Sequence, residues 1–107
     1  MEIKLSEIET IVFDSLKDII DVYDIKIENP INKETRLFGS HGILKSIELV
    51  SLIVDLEEKI AEKCAIPLIL ADEKAMSQNR SPFRTISSLA QYIYKLLEEE
   101  SNRKNLS

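Results

Sequence analysis

The sequence predicts an all-α fold, a small helical bundle, on three observations. Apolar residues recur at three- and four-residue spacing in three separate stretches. Glycine and proline are scarce, two and three among 107 residues, which leaves little for the tight hairpins of a sandwich or barrel. Hydrophobic residues make up 44% and charged residues 31%. That is the balance of a soluble globular chain, and the length suffices for one domain and not two.

The first helix is expected to begin near Ser6. Ser6 and Glu9 have the capping-box spacing, in which the serine accepts the N3 amide and the glutamate reaches back. Ile8, Ile11, Val12, Leu16, Ile19 and Ile20 form its stripe, which ends near Asp21 to Asp24. From Tyr23 to Lys45 no helical pattern persists, and Asn29-Pro30 stops any regular element. The second helix is expected from about Ser46 to Lys63. Its buried face is Leu49, Leu52 or Ile53, Leu56, Ile60 and Cys64; its outer face is Glu48, Ser51, Asp55, Glu58 and Glu62. Pro67 forbids continuation. Asp72 to Ser77 has room for one or two helical turns, and Ser81-Pro82-Phe83-Arg84 links onward. Thr85 caps a last helix whose inward residues are Ile86, Leu89, Ala90, Ile93 and Leu96 or Leu97. The expected architecture is a four-helix bundle with three long helices, one short helix and a long first loop. The ordered core is expected over about 5–99, with a frayed tail over 100–107.

Charge narrows the partners. The net charge is -5 and the pI about 4.9, so nucleic acid is not an expected partner, since phosphate binding needs a basic patch. A basic surface on another protein fits better. Cys64 is the single cysteine and forms no internal disulfide. The first seven residues have no long apolar run and no basic flank, and no stretch reaches membrane-spanning length. A cytoplasmic monomer without stable membrane insertion is the expectation.

The stretch Gly42-Ile43-Leu44-Lys45-Ser46-Ile47-Glu48-Leu49-Val50 carries the most information. A glycine loop runs into a serine that opens a long amphipathic helix, so one hydroxyl stands at an exposed helix start. With Leu56-Glu57-Glu58 further on, the segment from Leu37 to Ile60 resembles the acyl carrier protein family, whose motif is a glycine, one to three residues, Asp-Ser-Leu and a Glu-Leu-Val helix. The resemblance runs roughly from the first helix to Leu97. It implies that Ser46 accepts 4'-phosphopantetheine and that the arm holds an acyl group as a thioester, in fatty acid or polyketide biosynthesis or another acyl-transfer pathway. It implies a phosphopantetheinyl transferase and acyl-loading and acyl-transfer enzymes as partners. Lys45 departs from the pattern, because the family has aspartate there, facing the transferase. That charge reversal motivates an alternative, a carrier-fold interaction module that is never modified.

Each residue also has a plainer reading. Ser46 is a good N-cap by type, and a helix start also suits a phosphate group. From Glu48 to Lys63 there are five acids against two bases. They form a solvated face with an Asp55–Lys59 pair at i,i+4 spacing, or, as the resemblance implies, a docking surface through Glu48, Asp55 and Glu58. Ile47 and Val54 are core residues, or the apolar partner contacts that the resemblance implies, next to Lys45. His41 is the only histidine and builds neither a triad nor a metal site alone. Cys64 reads as a small buried apolar residue. No catalytic constellation is present, so the expectation is a non-catalytic protein with no metal.

Overall fold

The computed structural model describes residues 3–28, 30–39, 41–64, 70 and 83–105, with residues 101–105 described by their backbone alone. The regular elements among the described residues are all helices: α1 spans Leu5–Tyr23, α2 spans Ser46–Cys64 and α3 spans Ile86–Asn105. The short helix expected over Asp72–Ser77, Pro67 and the Ser81-Pro82 link lie outside the described residues. Helix α3 continues past Glu100 to Asn105.

Each helix follows from its local chemistry, with one shift at its start. Helix α1 begins at Leu5, not Ser6. Lys4 is its N-cap residue, and Glu7 Oε1 accepts the Lys4 amide at 3.3 Å. A lysine side chain accepts no hydrogen bond, so only the glutamate half of a capping box forms. The expected Ser6–Glu9 box is therefore displaced by two residues. The Ser6 carbonyl instead accepts from Thr10 Oγ1, and Glu9 pairs with Lys33 at 3.8 Å. At the other end Asp24 takes the left-handed conformation at φ 51°. The Ile25 amide reaches back to the Ile20 carbonyl at 3.0 Å. This is the Schellman closure, and aspartate tolerates it because its short polar side chain is at home there. Helix α3 starts as expected. Thr85 Oγ1 accepts the Ser88 amide and Ser88 Oγ accepts the Thr85 amide, both at 3.0 Å.

The predicted stripes close one core. Ile8, Ile11, Val12, Leu16 and Ile19 from α1 bury with Leu49, Leu52, Ile53, Leu56 and Ile60 from α2, and with Ile86, Leu89, Ala90, Ile93 and Leu97 from α3. Ile20, Cys64 and Leu96 are partly buried at its edge. Helix α1 is central, packing against both α2 and α3, while α2 and α3 make no close backbone approach to each other. Among the described residues no helix is long and apolar enough to cross a membrane.

The long first connection is tied down at several points. Arg36 forms an isolated antiparallel bridge with Thr85. The Leu37 amide donates to the Arg84 carbonyl at 2.8 Å and the Ser87 amide to the Lys33 carbonyl at 2.8 Å. Leu37 and Phe83 are buried on the core side of this tie. A connection this long satisfies its backbone by borrowing the start of α3.

Candidate functional site

The approach to Ser46 is held by backbone bonds to the first connection. The Ile43 amide donates to the Arg36 carbonyl at 3.0 Å and the Leu44 amide to the Leu37 carbonyl at 2.9 Å, while Leu44 is buried. The turn before them closes with the Gly42 amide on the Gly39 carbonyl at 3.0 Å. Gly39 takes φ +91° and His41 φ +65°. Gly42 is needed for space: a Cβ there would come within 2.6 Å of the Phe38 backbone. The two glycines thus solve different problems, one of angle and one of close approach. His41 carries a positive φ that a glycine would take without strain.

Helix α2 starts at Ser46 as expected, but its cap falls one residue before the serine. The Leu49 amide donates to the Lys45 carbonyl at 2.9 Å, which makes Lys45 the N-cap residue. Glu48 Oε1 accepts the Lys45 amide at 2.7 Å, the reciprocal half of a capping box. Ser46 is therefore the first helical residue, and its side chain is exposed. A hydroxyl there stands beside the first amides of the helix, which have no carbonyl one turn back and favour an anionic group. Ser51, the next serine along α2, is engaged: its Oγ donates to the Ile47 carbonyl at 3.1 Å and lies 2.8 Å from the Tyr23 hydroxyl. Ser40 lies outside the described residues.

The acidic face expected on α2 is largely occupied. Glu48 holds the Lys45 amide, and Glu57 accepts the Leu70 amide at 2.7 Å. Asp55 is half-buried and meets Lys59 Nζ at 2.6 Å. The same ammonium donates to Asp18 at 2.8 Å and to the fully buried Ser15 hydroxyl at 3.1 Å, so all three of its protons are placed between α1 and α2. Burial alone would lower the Lys59 pKa; the hydrogen bonds to Asp18 and Asp55, with their charges, hold it above the ordinary value. The i,i+4 pair read from the sequence is thus one arm of an interhelical clasp. Glu58 and Glu62 remain exposed.

The outward face of α2 near Ser46 is apolar. Ile47 is 67% exposed, Val50 47% and Val54 49%. Lys45, Ser46 and Ile47 are contiguous, and Val54 and Glu58 continue the Ile47 face at helical spacing. Glu48 and Asp55 lie on the flank toward α1. Val50 and, at the end of α1, Val22 and Tyr23 are exposed apolar residues that the pattern did not single out. Val22 lies three residues beyond Ile19, outside the stripe, and is 74% exposed.

Two other features do not include Ser46. Lys26, Arg36 and His41 line a half-open basin of about 600 Å³ together with Glu28, Glu34 and loop backbone. Cys64 is partly buried, and burial pushes its thiol pKa up. Comparison of the chain with family models, with curated proteins and with solved structures found no match.

Proposed function

We propose that the chain is a carrier that holds acyl groups on 4'-phosphopantetheine linked to Ser46. The observation that carries the reading is an exposed hydroxyl at the first residue of α2, on a segment fixed by Leu44 and the Arg36–Leu37 pairing, beside an exposed apolar strip. The residues fit such an arm. The Ser46 hydroxyl is accessible, the first amides of α2 would favour an anion there, and Ile47 and Val54 offer apolar contact to whatever approaches. In the attachment step the Ser46 oxygen bonds to the pantetheine-side phosphorus of coenzyme A. The pyrophosphate P–O bond breaks, adenosine 3',5'-bisphosphate leaves, and the hydroxyl proton passes to the transferase. Once attached, the arm supplies a thiol that holds acyl groups as thioesters. The chain's own residues anchor, orient and present; partner enzymes do the bond-making. The four-helix form, with a short helix over 72–77, belongs to the same reading.

The second reading is an interaction module of the same fold that is never modified. Lys45 favours it, since a cation replaces the acid that the resemblance implies, and the apolar strip serves docking without any arm. Intact-mass spectrometry after incubation with coenzyme A and an active phosphopantetheinyl transferase separates the two. The carrier gains one phosphopantetheine increment, and Ser46→Ala gains none. No increment on the wild-type chain overturns the carrier reading, and an increment that survives Ser46→Ala overturns its assignment to this residue.

A further inference from the structure

Every large apolar side chain of α2 in solvent lies in its first nine residues, and the last turn of α1 stands beside them. The two helices run antiparallel, with Glu7 meeting Lys63 at 3.6 Å, Asp18 meeting Lys59 at 2.8 Å and the Tyr23 hydroxyl meeting Ser51 Oγ at 2.8 Å. That register brings Val22 and Tyr23 to the turns of α2 that carry Ile47, Val50 and Val54. Val22 is 74% exposed, more than any other large apolar side chain among the described residues, and Tyr23 is 39% exposed. Ser51 is the seam, bound to Tyr23 on one side and to the Ile47 carbonyl on the other.

We propose that these five side chains form one docking face, continuous across α1 and α2 and ending at Ser46. Its occupant is a partner protein that presents apolar side chains ringed by lysine and arginine. Exposed acids border the face, Asp21 and Asp24 at the end of α1 and Glu58 and Glu62 further along α2. Lys45 is the cation at its Ser46 end, and Lys26 turns into the loop basin. A second copy of this chain, at net charge -5, brings the same acids and is repelled. Five side chains also fall far short of the roughly 20–30 residues a side of a stable interface, so the partner is one that arrives and leaves. An anionic bilayer meets the same repulsion. The apolar centre supplies affinity and the acidic rim supplies encounter rate.

The choice of probe rests on the carrier reading: a purified broad-specificity phosphopantetheinyl transferase, with coenzyme A as donor. Val22→Asn removes an apolar contact from α1, away from the modified helix, and circular dichroism checks that the fold is kept. The expected result is a KM for the carrier raised about tenfold or more, the lower end of the worth of one buried valine, with kcat within about twofold, because uniform binding has been lost. Val22→Ile keeps the wild-type KM. An unchanged KM in Val22→Asn, alongside a raised KM in Ile47→Asn, confines docking to α2. It overturns this proposal and leaves the carrier reading standing. Failure of the wild-type chain to accept the arm overturns both. Sedimentation showing a wild-type dimer that Val22→Asn disperses assigns the face to a second copy and also overturns it.

Discussion

At position 45 the backbone and the side chain act separately. The backbone opens α2 by accepting from Leu49 and donating to Glu48, while the ammonium stands in solvent beside Ser46. An aspartate at the same N-cap would add a side-chain acceptor for the free amides and favour the positive helix end, worth about 0.5–1 kcal/mol. Lys45→Asp is therefore expected to raise the unfolding midpoint slightly. It is also expected to speed transfer of the arm, because the cation no longer faces a basic docking surface. Matched time courses with one transferase check this, with Lys45→Gln separating loss of the cation from gain of the acid. Equal rates for all three chains would remove Lys45 as a handicap and weaken the unmodified-module reading. The exposure of Ser46 was legible from the sequence, because residue type and periodicity both place a polar residue at the helix start. The positive φ of His41 was not, since nothing in the pattern marks which residue of a turn takes the left-handed region. Gly42 was legible only as part of a glycine loop; the close approach of the Phe38 backbone, which excludes a Cβ there, was not.

At the scale of elements, stripes that bury were readable and faces that stay out were read in part. Leu49, Leu52, Leu56 and Ile60 announce their direction by spacing alone. Opposite them the polar pattern gave a solvated acidic face, and the resemblance implied a docking surface, yet Glu48, Asp55 and Glu57 turn to intramolecular donors. The Asp55–Lys59 pair was readable at i,i+4 spacing, but the reach of Lys59 to Asp18 and Ser15 on α1 and of Glu57 to Leu70 leaves no periodic mark. The Lys59 clasp is the strongest case. Its folded pKa lies above the ordinary value, so by linkage the stabilisation it gives is complete below about pH 10.4, the unfolded-state value. It is lost as pH rises through the higher folded value. Lys59→Met is expected to lower stability by about 1–2 kcal/mol at pH 7, through two lost charge-assisted bonds and an orphaned Ser15 hydroxyl. Urea unfolding of both chains from pH 7 to pH 11 and beyond checks the sign. The gap should be flat to about pH 9 and close above the lysine range. A gap that persists unchanged in strong alkali would mean that the packed Lys59 stem, not its charge, joins the helices.

Across the whole molecule, the first connection and the last helix behave as one piece. Residues 33–37 bond to residues 84–87, and residues 36–37 bond to residues 43–44. The chain leading into Ser46 is therefore anchored, through residues 36–37, to a segment some forty residues away in sequence. Spacing alone marked this region only as lacking a helix, because pairing between distant segments is invisible to local pattern. The physical consequence is a coupling between the tie and the placement of the serine. Releasing the tie exposes Leu37, Leu44 and Phe83, all buried, so opening it costs several kcal/mol, roughly 1.5–3 for each side chain. Native-state amide exchange is expected to show the Leu37 and Leu44 amides protected close to the level of the α1 and α2 centres, unlike an ordinary surface connection. Exchange at those two amides that is orders of magnitude faster, with Leu52 and Leu56 still protected, would show the connection opening by itself. Ser46 would then be presented from a frayed start, and the fixed approach that the carrier reading leans on would be gone.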